Sequence, residues 1–104
     1  MSRVTEVMHK LATKFQPDQA GDLHANFQID IEDGTPWVIC IADGCCEVIA
    51  GEHDDPDVTL IMDGDTFVDI IDGELGGTSA FFSGRLRAEG NVMLATRLGS
   101  LFKR

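Results

Sequence analysis

Two Asp-Gly dipeptides ten residues apart, Asp33-Gly34 and Asp43-Gly44, bracket the apolar run Trp37–Ala42 and constrain this chain more than any other feature. Asp-Gly between apolar segments signals a tight hairpin, because a type I′ turn needs positive φ at both central residues. Upstream, Phe27, Ile29 and Ile31 alternate with Gln28, Asp30 and Glu32, the period-two pattern of a strand with one wet face. Downstream lies a further short apolar stretch, Cys45–Ala50. The pattern predicts a three-stranded antiparallel meander over residues 24–50. Its middle strand is apolar on both sides, so both its faces should be covered.

The flanks change period. Val4, Val7, Met8, Leu11 and Phe15 recur at helical spacing, with Ser2 as N-cap and Pro17 closing the segment. Residues 16–22 read either as a short helical turn or as a connection. A fourth strand spans 58–62 and places Val58, Leu60 and Met62 on one side. Asp63 or Asp65 then caps a short helix carrying Phe67, Ile70 and Ile71, stopped by Gly73. A second short helical piece over 78–82 leads to a fifth strand, 84–89. A last helix, 92–102, carries the stripe Leu94, Leu98 and Leu101, flanked by Met93 and Phe102. Strands and helices do not alternate regularly. The expectation is one α+β domain over residues 1–104, a mostly antiparallel sheet with helices packed on one face.

Charge narrows the partners. The formal net charge is −10, and no Lys or Arg occurs between Phe15 and Gly84. Such a chain lacks the cations that displace counterions from a phosphate backbone, so no nucleic-acid partner is expected. The longest apolar run, six residues, falls far short of the ~20 needed to span a bilayer. No apolar leader is visible, and three cysteines is an odd number for a disulfide framework. These features predict a cytoplasmic protein.

Chemistry-bearing patterns are sparse. Cys40, Cys45 and Cys46 form neither a CxxC nor a Cys–His pairing, and adjacent cysteines suit one zinc poorly. The segment from Asp63 to Asp69 resembles a calcium loop, but Val68 stands where such a loop requires glycine. His9, His24 and His53 have no local nucleophile, and the chain has no tyrosine. No catalytic residue, metal or cofactor is therefore expected.

The second half carries several ordered motifs. They are Pro56-Asp57-Val58-Thr59-Leu60-Ile61-Met62, then Phe67 to Ile71 with Gly73, then Ala80-Phe81-Phe82-Ser83-Gly84-Arg85-Leu86, then Glu89-Gly90-Asn91, then Leu94-Ala95 and Leu98 to Phe102. In order and spacing this run resembles the sterol carrier protein 2 family. It departs from that pattern at Gly76-Gly77-Thr78, where the family usually has Asn-Pro, and at Glu89, where a lysine is common.

The resemblance implies a five-stranded sheet covered by helices that enclose an apolar lipid tunnel. It implies a non-catalytic carrier of a sterol, fatty acid, acyl-CoA or phospholipid, with transient membrane contact. The alternative is an accessory protein presenting a prenyl or acyl intermediate to a biosynthetic enzyme partner, as in isoprenoid-quinone synthesis. The side chains that would line the tunnel are Phe27, Ile39, Val58, Leu60, Met62, Phe67, Ile70, Ile71, Phe81, Phe82, Leu86, Met93, Leu94, Leu98, Leu101 and Phe102. Arg85, Arg87 and Arg97 would meet a polar headgroup.

Overall fold

The computed structural model describes residues 3–72 and 74–98. Its elements run α1 (Arg3–Lys14), α2 (Pro17–Ala20), β1 (Ala25–Ile31), β2 (Trp37–Ala42), β3 (Cys45–Ala50), β4 (Val58–Met62), α3 (Gly64–Ile71), α4 (Gly77–Phe82), β5 (Arg87–Gly90) and α5 (Val92–Leu98). The strands form one sheet in the order β3-β2-β1-β4-β5. All neighbours are antiparallel except β1 and β4, which run parallel with Phe27 opposite Val58 and Ile31 opposite Met62. The α+β expectation holds, with one parallel pair at the centre of the sheet.

The two Asp-Gly turns differ. Asp43 and Gly44 have φ of 53° and 72°, both positive as a type I′ hairpin demands. Asp33-Gly34 does not form the expected two-residue turn, because neither residue has positive φ. The connection there runs over residues 32–36, closed by the Gly34 N–H donating to Ile31 O at 3.1 Å. The Asp33 carboxylate is instead turned towards α3, where it accepts from the Gly64 N–H.

Register divides the sheet into two unlike faces. Phe27 and Ile29 of β1, Trp37, Ile39 and Ile41 of β2, and Val58, Leu60 and Met62 of β4 share one side and are buried. Val7, Met8 and Leu11 from α1, Ala20 from α2, and Phe67 and Val68 from α3 complete this core. Leu94 and Ala95 of α5 pack against it, half-buried, where α5 lies along β4 and β5. Burial of such side chains contributes roughly 1.5–3 kcal/mol each, which makes this face the main source of stability.

On the opposite face the connection from β3 to β4 crosses β1 at Gln28. Gln28, buried at 4% exposure, holds that connection in place. Its side-chain amide donates to Trp37 O and Gly51 O at 3.2 Å each, and its carbonyl accepts from the His53 N–H at 2.7 Å. At the far end, the Asp57 N–H donates to Asn26 O, and the Asp57 carboxylate accepts from the Asn26 N–H at 2.7 Å. A buried glutamine is tolerated here because its polar atoms are bonded.

The other boundaries shift modestly. Residues 16–22, which the sequence reads either way, contain the short helix Pro17–Ala20. The fifth strand starts at Arg87 rather than at residue 84. The turn ending α4 occupies the intervening residues, with Gly84 at φ 82° and the N–H groups of Arg85 and Leu86 both donating to Ala80 O. The expected cap Ser2, the stop at Gly73 and the last helix beyond residue 98 lie outside the described residues.

Candidate functional site

The sequence-predicted lining residues fall into three groups. Phe27, Ile39, Val58, Leu60, Met62 and Phe67 are buried in the core beneath α1 and α3. Ile70, Ile71, Leu86 and Leu94 are half-buried around its margin. Phe81, Phe82 and Met93 stand out from the surface, at 48%, 81% and 73% exposure. Leu101 and Phe102 lie outside the described residues, as do the side chains of Leu98 and Arg97.

Two cavities border these groups. A groove of about 480 Å³ runs along β5 and is lined by Ile61, Phe81, Gly84, Leu86, Arg87, Ala88 and Glu89. The groove is open to solvent rather than enclosed. The second, about 170 Å³, sits between the start of α1, the β1–β2 connection and the start of α3. It is lined by Val4, Thr5, Ile31, Asp33, Gly34, Thr35, Trp37, Gly64, Asp65 and Val68, and is too small for a lipid chain of ordinary length.

The larger groove brings together Phe81, Leu86 and Arg87, all three expected from the sequence, and adds Ile61 and Ala88. Sequence alternation places Ile61 opposite Leu60 and Met62, on the side away from the core. The signal that could have found it is its own apolarity at a position where period two calls for a polar residue. Leu75 and Gly76, which precede α4, are half-buried. Ala80 is fully buried, so α4 is anchored through one small residue while its C-terminal phenylalanines remain outside.

Two of the three arginines expected to meet a headgroup, Arg85 and Arg87, are engaged within the protein. Arg85 Nε donates to Thr66 Oγ1 at 3.1 Å, and its Nη2 lies 3.5 Å from Asp69 Oδ2. Thr66 is fully buried, so this arginine ties the segment leading into β5 to α3. Arg87 Nη2 lies 3.6 Å from Glu32 Oε2, with both side chains more than half exposed, a pairing that costs little to break. Arg87 lines the groove and Arg85 does not, so Arg87 is the one of the pair available to a ligand there.

Asp63 caps α3, its carboxylate accepting from the Thr66 N–H at 2.7 Å, and hydrogen bonds from Thr66 hold its carboxyl below the ordinary value of 3.8. The calcium-like spacing thus resolves into helix capping. Among the described residues no three His, Cys, Asp or Glu side chains converge as a metal site would require. Cys45 is exposed and Cys40 and Cys46 are half-buried. Burial, with Cys40 and Glu47 nearby, pushes the Cys46 thiol up to about 11.

Comparison with known proteins places this geometry. The model of the SCP-2 sterol transfer family matches residues 6–103. Peroxisomal multifunctional enzyme A from Dictyostelium discoideum is 36% identical over 81 residues, 74% of this chain and 18% of that protein. The chain spans less than a fifth of the length of the curated relatives it first matches. The solution structure of sterol carrier protein domain 2 of Helicoverpa armigera superposes with a TM-score of 0.78 at 26% identity, over 94% of this chain and 84% of that one. A UbiJ-SCP2 ubiquinone synthesis protein shares the fold with a TM-score of 0.73 at 16% identity, over 94% of this chain and 86% of that one.

Proposed function

The chain belongs to the SCP-2 sterol transfer family, and on that premise we propose that it binds a lipid chain or ring in the groove along β5 and passes it on without chemistry of its own. The observation that supports this most directly is the groove of about 480 Å³ with Ile61, Phe81, Leu86 and Ala88 on its walls. Arg87 and Glu89 on the same rim give a polar end, so an amphiphile with a carboxylate or ester head suits it better than a hydrocarbon. Each buried CH₂ contributes roughly 0.8 kcal/mol, so a long acyl chain can offset the cost of association.

The competing reading is an accessory protein that holds a prenyl or acyl intermediate for a biosynthetic enzyme. The fold shared with the ubiquinone synthesis protein favours it. The two readings share a groove and differ in whether the lipid leaves freely.

The test is direct. Native mass spectrometry of the purified chain, followed by thermal shift with fatty acids, acyl-CoA and sterols, should show a retained lipid or a stabilised protein. Ile61→Trp, on the side of β4 away from the core, should fill the groove and abolish the shift while circular dichroism stays unchanged. No retained lipid and no shift with any of these ligands would overturn the carrier reading. Capture of lipid only in the presence of a co-purifying enzyme would favour the accessory reading.

A further inference from the structure

Among the described residues five large apolar side chains are conspicuously exposed, and four of them flank β5: Phe81 and Phe82 before it, Val92 and Met93 after it. Phe82 is the most exposed of all, at 81%. Its ring meets that of Phe81 edge-on with centroids 5.8 Å apart, and Phe81 in turn lines the groove. An unbroken aromatic path therefore leads from solvent to the groove wall.

Charge distribution singles out the same place. Residues 75–84 contain no Asp, Glu, Lys or Arg, the longest such stretch in a chain whose acids outnumber its basic residues by 18 to 8. Residues 90–96, which carry Val92 and Met93, are likewise uncharged. A surface leaving water without charged groups avoids their large desolvation cost, and aromatic rings settle readily at a bilayer interface. Of the basic residues beside these stretches, Arg85 and Arg87 are paired with Asp69 and Glu32, and the net charge of −10 opposes approach to an anionic surface. The complementary partner is a lipid surface without net charge.

We propose that the segments flanking β5 dock on a zwitterionic phospholipid bilayer, with Phe82 inserted between headgroups and Phe81 leading into the groove. The inference rests on the carrier reading for its purpose, because it supplies the route by which a lipid enters. Its physical readout, association with vesicles, is independent of whether a lipid is carried.

The experiment is flotation of the full chain with phosphatidylcholine vesicles and with vesicles containing phosphatidylserine, alongside displacement of a fluorescent fatty acid. The chain should float with phosphatidylcholine and bind phosphatidylserine vesicles more weakly, the difference shrinking as salt is raised. Phe82→Asp should cut vesicle association about tenfold or more while leaving fatty-acid affinity within about twofold. Ile49→Asp, at an exposed apolar position on β3, should change neither. Absence of phosphatidylcholine binding, tighter binding to phosphatidylserine, or undiminished flotation of Phe82→Asp would each overturn the proposal. A dimer that Phe82→Asp dissociates without vesicles would do the same, by assigning the patch to a second copy. Loss of fatty-acid binding with flotation intact would sink the carrier reading alone.

Discussion

The Asp33 carboxylate accepts a hydrogen bond from the Gly64 N–H at 2.8 Å, joining the β1–β2 connection to the first turn of α3 across thirty-one positions of sequence. Gly64 also faces α1. A Cβ there would lie 2.9 Å from Val4 Cγ2 and 3.3 Å from Asp33 Oδ1. Alanine favours a helix over glycine by at most about 1 kcal/mol, whereas overpacking costs about 1–3 kcal/mol, and Val4 is β-branched and stiff. Gly64→Ala should therefore lower stability, and Val4→Ala in the same chain should recover part of the loss, as chemical denaturation would measure.

The cap of α3 should show in acid. Asp63→Ala removes the acceptor of the Thr66 N–H and should cost about 0.5–2 kcal/mol at neutral pH. Because the folded carboxyl titrates below its ordinary 3.8, its contribution is complete above that value and is lost as pH falls through the folded one. The stability difference between wild type and Asp63→Ala should shrink only in that acid range, and denaturation curves at stepped pH would reveal it.

Gln28 offers the sharpest test of the sheet face crossed by the β3–β4 connection. Gln28→Leu keeps the volume but removes the partner of the Gly51 carbonyl and of the His53 N–H, so a loss on the order of 2–3 kcal/mol is expected. Hydrogen exchange at His53 should accelerate well beyond that of β2 amides. Equal acceleration throughout the sheet would mean that the crossing segment is not held by this side chain.

The cysteines should separate by reactivity. Iodoacetamide at neutral pH should label exposed Cys45 first, while Cys46, half-buried with its thiol raised to about 11, reacts slowly. The unfolded thiol ionises near 9.0, so the stability associated with Cys46 is complete below that pH and lost between 9.0 and about 11. Timed mass spectrometry of peptides would order the three sites.

Arg85 holds buried Thr66 and exposed Asp69 at once. Arg85→Ala should destabilise by about 1–2 kcal/mol through the lost bond to the buried Thr66 hydroxyl, with fatty-acid affinity unchanged. Arg87→Ala should leave stability nearly untouched and weaken binding of a carboxylate-headed ligand. The reverse pattern in denaturation and displacement assays would exchange their roles.

Much of the fold is legible because it is written locally. The alternation of Phe27, Ile29 and Ile31 marks β1, the positive-φ pair Asp43-Gly44 marks the second hairpin, and the spacing of Val7, Met8 and Leu11 marks the buried stripe of α1. What stays hidden depends on tertiary placement. Asp33-Gly34 carries the same dipeptide as the second turn, yet the pull of Gly64 on its carboxylate belongs to a distant helix. The family resemblance marks Phe27 and Phe82 alike as candidates for a greasy wall. Only the position of α1 over the sheet makes the first a floor of the core and leaves the second at the surface. Ile61 is hidden for a different reason: period two assigns it to the wet side, where it lines the groove instead.

The parallel alignment of β1 with β4 also dictates an order of assembly. The meander can close through contacts between chain neighbours, but Phe27 must wait for Val58, about thirty residues later, before the central ladder zips. A nascent chain emerging only as far as Ala50 would hold a three-stranded fragment whose β1 edge is bare and greasy. Chaperone engagement, or aggregation of truncated forms, should accordingly concentrate on that unfinished edge until the fourth strand arrives.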